Sequence, residues 1–181
     1  MLSYARAVSS VVVLLGAPGS GKSAVGTELA ALGLRWREWE RSIVGRWGSR
    51  DNFVANKTTA LEGLHDEMRA FISSPGAAAA IETTGLSDAA LLDDLSLEHR
   101  LFVVRLDVSQ PEAARRIAQL APGRHLTDDI DSNRTIWRAF YETVAPRRHA
   151  DLVIDADHTS PPDAAAIIIK ASEIGHRRGS M

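Results

Sequence analysis

Val11-Val12-Val13-Leu14-Leu15 is an unbroken run of β-formers with no polar alternation, the pattern of a strand buried on both faces of a parallel sheet. Gly16 to Gly21 breaks the run. From Lys22 to Leu34 the apolar positions recur at Val25, Leu29 and Leu32, with Gly33 near the end, which predicts a helix. The chain therefore opens as strand, glycine loop, helix. Arg35 to Gly48 sets Trp36, Trp39 and Trp47 among many charges and predicts a short strand or loop entering a helix around Ser42 to Trp47. From Thr58 to Ile72, Leu61, Leu64, Met68, Phe71 and Ile72 share one helical face, which Pro75-Gly76 stops. Ala77 to Ile81 reads as a second buried strand ending at Glu82, Ser87 to Leu97 as a helix capped by Ser87, and Leu101 to Leu106 as a strand. Pro111 to Leu120 predicts a helix ending at Pro122-Gly123, Ile136 to Val144 another, Asp151 to Ile154 a strand, and Ala164 to Ile174 a closing helix. Strands alternating with helices define an α/β class with a five-stranded parallel sheet flanked by helices.

Composition narrows the function classes. The 181 residues, 45% hydrophobic and 24% charged, suit a single domain spanning 1–181, with a core over 11–174 and a frayed tail over 176–181. A net charge of -2, from 21 basic and 23 acidic residues, gives no general attraction to polyanions, so neither nucleic acid nor a membrane surface is an expected partner. The absence of cysteine excludes disulfide scaffolds, thiolate zinc sites and cysteine nucleophiles. No apolar run approaches the ~20 residues of a membrane span. Met1 to Ser10 has no signal-like segment, so a cytoplasmic monomer or homodimer is expected. The six histidines are dispersed without zinc-like spacing.

The candidate chemistry starts in the glycine loop. Gly16-Ala17-Pro18-Gly19-Ser20-Gly21-Lys22-Ser23 satisfies G-x-x-x-x-G-K-[ST] in full, after a buried strand and at the start of a helix, as the pattern requires. Glycines let successive backbone N–H groups curl around a phosphate, and the helix start adds partial positive charge. Lys22 suits the β- and γ-phosphates, the Ser23 hydroxyl a Mg²⁺ ion, and Ala24 completes the cradle. A guanine-reading Asn-Lys-x-Asp is lacking, because Asn56-Lys57 is followed by Thr58-Thr59.

With that loop and these elements, the sequence resembles the shikimate kinase-like group of small P-loop kinases from Val11 to about Ile169, near the nucleoside monophosphate kinases and antibiotic phosphotransferases. The resemblance implies a P-loop NTPase fold with a lid over about 115–135, and ATP and Mg²⁺ as cofactors. It sets Glu38-x-Glu40 where that group carries Asp-x-Asp, so Glu38 and Glu40 are candidates for metal support and for the acceptor's base. Two carboxylates at i, i+2 on a strand end point to one side. The residues alone leave open a second reading, solvated charges paired with Arg37 and Arg41. Glu82 takes the Walker B place near magnesium, against the alternative of a carboxylate bonded to nearby backbone N–H groups. Thr83-Thr84-Gly85 stands at the acceptor loop. Arg115, Arg116 and Arg124 are the lid candidates for ATP, with Arg124 also catalytic beside Lys22, and Pro122-Gly123 the hinge. Ala145 through Asp155 matches the last strand, bordering the adenine site.

Departures bear on the acceptor. Phe53 is followed by Val54 rather than arginine, the place of a second acid-binding arginine falls near Glu142 or Thr143, and the acceptor glycines have become Thr84-Gly85-Leu86. Shikimate is therefore a poor candidate, and a neutral alcohol on a nucleoside, sugar or antibiotic-like molecule suits better. Trp36, Trp39 and Trp47 offer walls for a ring, or serve as ordinary core residues. The expected activity is ATP- and Mg²⁺-dependent transfer of phosphate to a small-molecule hydroxyl. The alternatives are a nucleoside monophosphate kinase, for which Arg41, Arg46 and Arg50 would face the acceptor phosphate, and a nucleotide-binding regulatory module without transfer.

Overall fold

A computed structural model describes residues 10–38, 46–48, 50–120 and 129–178. The strands are β1 (Ser10–Gly16), β2 (Arg35–Arg37), β3 (Ala79–Thr83), β4 (Arg100–Asp107) and β5 (Leu152–Asp155). The helices are α1 (Lys22–Ala31), α2 (Arg50–Ala55), α3 (Lys57–Ser73), α4 (Ala89–Glu98), α5 (Gln110–Ala118), α6 (Ile130–Ala139) and α7 (Pro161–Arg178), with a π-helical turn over Phe140–Val144 after α6. The strands form one sheet in the order β2-β3-β1-β4-β5, and every pairing is parallel. β1 is central, which is why its apolar run needs no polar face: Val11 to Leu15 are at most 4% exposed.

Alternation along the strands divides the core into two layers. Val11, Val13, Leu15, Ile81 and Val103 pack with α3, α4 and Phe140, whereas Val12, Leu14, Ala80, Val104, Leu106 and Ile154 pack with α1 and α7. In α3 the buried positions Ala60, Leu64, Met68 and Ile72 recur every fourth residue, one stripe against the sheet. Arg35 fastens the end of that helix to β2, donating to the carbonyls of Phe71 (2.6 Å), Ile72 (3.3 Å) and Ala77 (2.9 Å) and to Ser74 Oγ (2.5 Å).

The elements follow the sequence pattern, but several boundaries move for physical reasons. The strand expected over Ala77 to Ile81 lies at Ala79–Thr83, because Ala77 and Ala78 are an exposed approach whose Ala77 carbonyl is taken by Arg35. Glu82 is thus inside the strand. The helix expected to be capped by Ser87 starts at Ala89 with Asp88 as its cap residue. α6 starts at Ile130 rather than Ile136, because the Asp129 carboxylate accepts from the Ser132 N–H at 2.9 Å. From Phe140 the expected helix becomes the π-turn. α2 was not foreseen. Residues 39–45, most of the helix expected at Ser42 to Trp47, lie outside the described residues, as do 121–128 of the lid.

Candidate functional site

β1 delivers the chain to the carboxyl edge of the sheet at Gly16, between β3 and β4, the edge where open parallel sheets bind ligands. The loop then turns through Gly19 (φ 77°) and Gly21 (φ 89°), backbone states that side-chain-bearing residues rarely adopt. A Cβ on Gly19 would also stand 2.7 Å from the Ala113 carbonyl oxygen. Ser20 N–H donates to the Ala17 carbonyl (3.2 Å), and Val25 N–H to that of Gly21 (3.0 Å), so the loop closes into α1. No side chain caps α1, whose cap residue is Gly21. Its first amides therefore face the loop, as a phosphate site requires. Lys22 is 9% exposed and its ammonium curls back, donating to the carbonyls of Gly16 (2.9 Å) and Ala17 (3.1 Å). Ala17 and Ser20 are buried in the loop wall, Pro18 is half-buried, and Ala24 is exposed on the outer side of the first helical turn.

The next contact joins distant parts of the chain. The Ser23 hydroxyl donates to Glu82 Oε2 at 3.0 Å. Glu82 is only 3% exposed and shares the parity of Ala80, on the α1 side of the sheet. β2 pairs with β3 through Trp36↔Ala80 and Arg37↔Ile81, so continuing that register by one residue sets Glu38 opposite Glu82. Glu82 and the Ser23 hydroxyl thus meet beside the loop, with Glu38 next in the β2 register. Oxygen donors of this kind suit a hard divalent cation such as Mg²⁺. Among the described residues no three His, Asp or Glu side chains form a metal-holding group, so such an ion would take ligands from water and substrate as well.

The two α5 arginines part company. Arg116 reaches inward, donating to the Gly19 carbonyl (3.5 Å), the Ala156 carbonyl (2.6 Å) and Glu112 (2.7 Å). It ties the loop to the segment after β5. Arg115 grips Glu112 with two donors at 2.6 Å and Gln119 at 2.9 Å, on a side chain 55% exposed. In this structure the Arg115 guanidinium is engaged on the outer helix surface, and of the two only Arg116 bonds to the phosphate loop. Hydrogen bonds from Arg115 and Arg116 hold the half-buried Glu112 carboxyl down at about 2.

The tryptophans carry two readings. Trp36 packs into the layer of α1 and α7, with its ring against Gly26, and Trp47 packs on the other layer. Both pack on the core, as the second of the two readings expects. Arg37 and Arg46 both pair with Glu67 of α3, a carboxylate between two guanidiniums. Trp39, Glu40, Arg41 and Arg124 lie outside the described residues. Sequence reasoning missed Asp88, 5% exposed and at the end of the loop that follows β3. Burial raises its carboxyl above the ordinary 3.8, partly countered by the Thr83 hydroxyl and the charges of His65 and Arg148. The Asp after Gly85-Leu86-Ser87, a residue type that caps helices, was the available signal.

The parallel sheet of this strand order, with a glycine loop leading from its central strand into α1, is the P-loop kinase fold, shared with solved kinases. The shikimate kinase of Acinetobacter baumannii, solved in complex with shikimate, superposes with a TM-score of 0.70 at 18% identity over 93% of this chain and 95% of that one. A gluconokinase from Sinorhizobium meliloti 1021 gives 0.60 at 18% identity, over 92% of this chain and 93% of that one. In sequence, the chain is 29% identical over 173 residues to the shikimate kinase of Xanthomonas euvesicatoria pv. vesicatoria (strain 85-10), covering 87% of this chain and 89% of that one. No family model matches the chain. No helix among the described residues is long and apolar enough to cross a membrane.

Proposed function

We propose that this chain is an ATP- and Mg²⁺-dependent kinase that phosphorylates a hydroxyl of a small molecule other than shikimate. The contact that carries the reading is Ser23 with Glu82 at 3.0 Å: it couples the phosphate loop to a buried carboxylate of the neighbouring strand, an arrangement a bare phosphate binder does not need. The shikimate kinase relative and the fold shared with kinases support it.

Each residue has a task in that reading. The Gly19 to Ser23 amides bind the phosphate tail, and Lys22 exchanges its loop carbonyls for phosphate oxygens. Ser23 and Glu82 hold the magnesium, which when bound offsets charge on the transferred group. Glu38, opposite Glu82 in register, and Glu40 orient the acceptor hydroxyl and take its proton. Arg116, bonded to the Gly19 and Ala156 carbonyls, fixes the loop and serves the nucleotide, and Arg124 balances charge from the lid. Arg37 and Arg46, already paired with Glu67, support a neutral acceptor over an acidic one. Most of the rate enhancement then comes from positioning and electrostatics.

The test is an ATP-consumption screen over nucleosides, sugars, aminoglycosides, nucleoside monophosphates and shikimate, with product masses. One neutral alcohol gaining a single phosphate is expected. A monophosphate as the sole acceptor would move the chain to the nucleotide kinases, and ATP binding with no product would make it a regulatory module. Glu40→Gln is expected to keep ATP affinity within several-fold while transfer collapses.

A further inference from the structure

Glu82 and Thr83 are consecutive in β3 and face opposite layers. Glu82 turns to Ser23 of α1, whereas Thr83 turns to the α3 and α4 side. There the Thr83 hydroxyl donates to Asp88 Oδ2, and its oxygen accepts the Gly85 N–H at 2.7 Å. All three are buried, Thr83 and Asp88 each at 5% exposure. Gly85 has φ 71°, and a Cβ there would meet Val144 at 3.0 Å and Leu15 at 3.1 Å, so the turn is wedged between the π-turn and the central strand. A carboxylate is expensive to bury, yet an asparagine or serine would suffice to start α4. The Asp88 side chain makes no capping bond at all. Its work is directed backwards, at Thr83.

We propose that Asp88 is a positioning residue for the loop 84–86: through the Thr83 hydroxyl it fixes the Gly85 amide, and so sets the loop that follows the metal-side carboxylate. The proposal rests on the kinase reading for the identity of what the loop receives, an acceptor alcohol, but not for the relay itself. A carboxylate fixes the direction of both bonds, because it can only accept from Thr83, leaving the threonine oxygen's lone pairs for Gly85. The titratable and charged groups facing Asp88 are His65 from α3 and Arg148 from the segment after the π-turn. Arg148 also donates to the Ala89 carbonyl (3.2 Å) and to Asp93 (2.6 Å), which holds it over the start of α4.

The relay is tested by amide hydrogen exchange at Gly85 in the full chain. Thr83→Val, which keeps shape and loses the hydroxyl, is expected to speed exchange at Gly85 at least about tenfold relative to Val103 in β4, whereas Thr83→Ser stays within about threefold of the parent. Asp88→Ala should behave as Thr83→Val, and Asp88→Asn, which keeps an accepting oxygen, as Thr83→Ser. The affinity for Mg–ADP, measured by calorimetry, should stay within about threefold in all of them, since the Thr83 hydroxyl bonds to Asp88 and Gly85 and not to the phosphate loop. With an acceptor from the screen, Thr83→Val should raise its KM about tenfold or more and leave kcat within about threefold. Unchanged Gly85 exchange in Thr83→Val overturns the relay. Faster exchange with an unchanged acceptor KM overturns the positioning role. Should Asp88→Ala fail to fold, the Thr83 pair decides alone. A relay that holds while no alcohol is phosphorylated overturns the kinase reading and leaves the relay standing.

Discussion

The ring of Trp36 lies against the bare Cα of Gly26: a Cβ built on the glycine would come 2.2 Å from the ring's Cζ2. The contact seats β2 on the helix that begins at the phosphate loop. It thereby fixes where Glu38, the residue after β2, emerges. Gly26→Ala is the test. Within a helix alanine normally gains about 1 kcal/mol over glycine, but forcing the ring aside costs about 1–3 kcal/mol. We expect a net loss of up to about 2 kcal/mol and a melting temperature lower by up to about 8 °C. A variant more stable than the parent would mean that the ring yields freely.

Lys22 and Glu82 separate two functions of the loop. Lys22→Ala should lower transfer by about 10²–10³-fold and also weaken nucleotide binding. Glu82→Gln should leave ADP binding without metal within about threefold, while the gain that Mg²⁺ brings falls about tenfold or more. Calorimetry with and without Mg²⁺ reads both. Equal magnesium responses in Glu82→Gln and the parent would remove Glu82 from the metal's surroundings.

Arg35 supports the fold away from the chemistry. Its guanidinium accounts for two carbonyls in the last turn of α3 and lies 5.1 Å from the Phe71 ring centroid. Arg35→Ala should cost about 1–3 kcal/mol in urea unfolding, with nucleotide affinity unchanged. Arg35→Lys, with one ammonium for four bonds, should recover less than half of the loss. Full recovery by lysine would show that charge alone suffices.

Asp88 gives a pH signature of defined sign. Its folded carboxyl lies above the ordinary 3.8 because burial disfavours the charged form. Stability contributed by the protonated group is therefore present at low pH and is lost as pH rises from 3.8 through the folded value. Asp88→Asn does not titrate, so its stability relative to the parent should improve as pH rises above 3.8 and level off once pH passes the folded value. Denaturation curves across that window read the difference. A variant-minus-parent stability that stays constant, or falls with rising pH, contradicts a raised carboxyl.

Most of the architecture could be read from short signals. Val11 to Leu15, the glycine loop and the fourfold spacing of Leu64, Met68 and Ile72 are local patterns whose meaning is set by backbone geometry. What stayed hidden depends on contacts between distant residues. The Trp36 ring belongs to Gly26 rather than to a ligand, and no local pattern pairs those positions. Arg115 and Arg116 are identical in type and adjacent in sequence. Only the direction of each on α5 sends one to Gly19 and the other to Glu112 and solvent. The start of α6 at Ile130 was obscured because Asp131 to Thr135 is polar, and the cap at Asp129 organises it instead of an apolar stripe. Glu82 was legible as a strand-end carboxylate, but its approach to Ser23 needed the register between β1 and β3.

The ammonium of Lys22 rests on carbonyls of its own loop, Gly16 and Ala17. On the proposed reading, nucleotide entry is then a trade in which phosphate oxygens replace these two carbonyl oxygens. The loop is held in shape by the same side chain that, on that reading, grips the phosphates. Much of the cost of assembling the site is met during folding, so capture can be rapid while the net gain from this lysine stays smaller than its number of charged contacts would suggest.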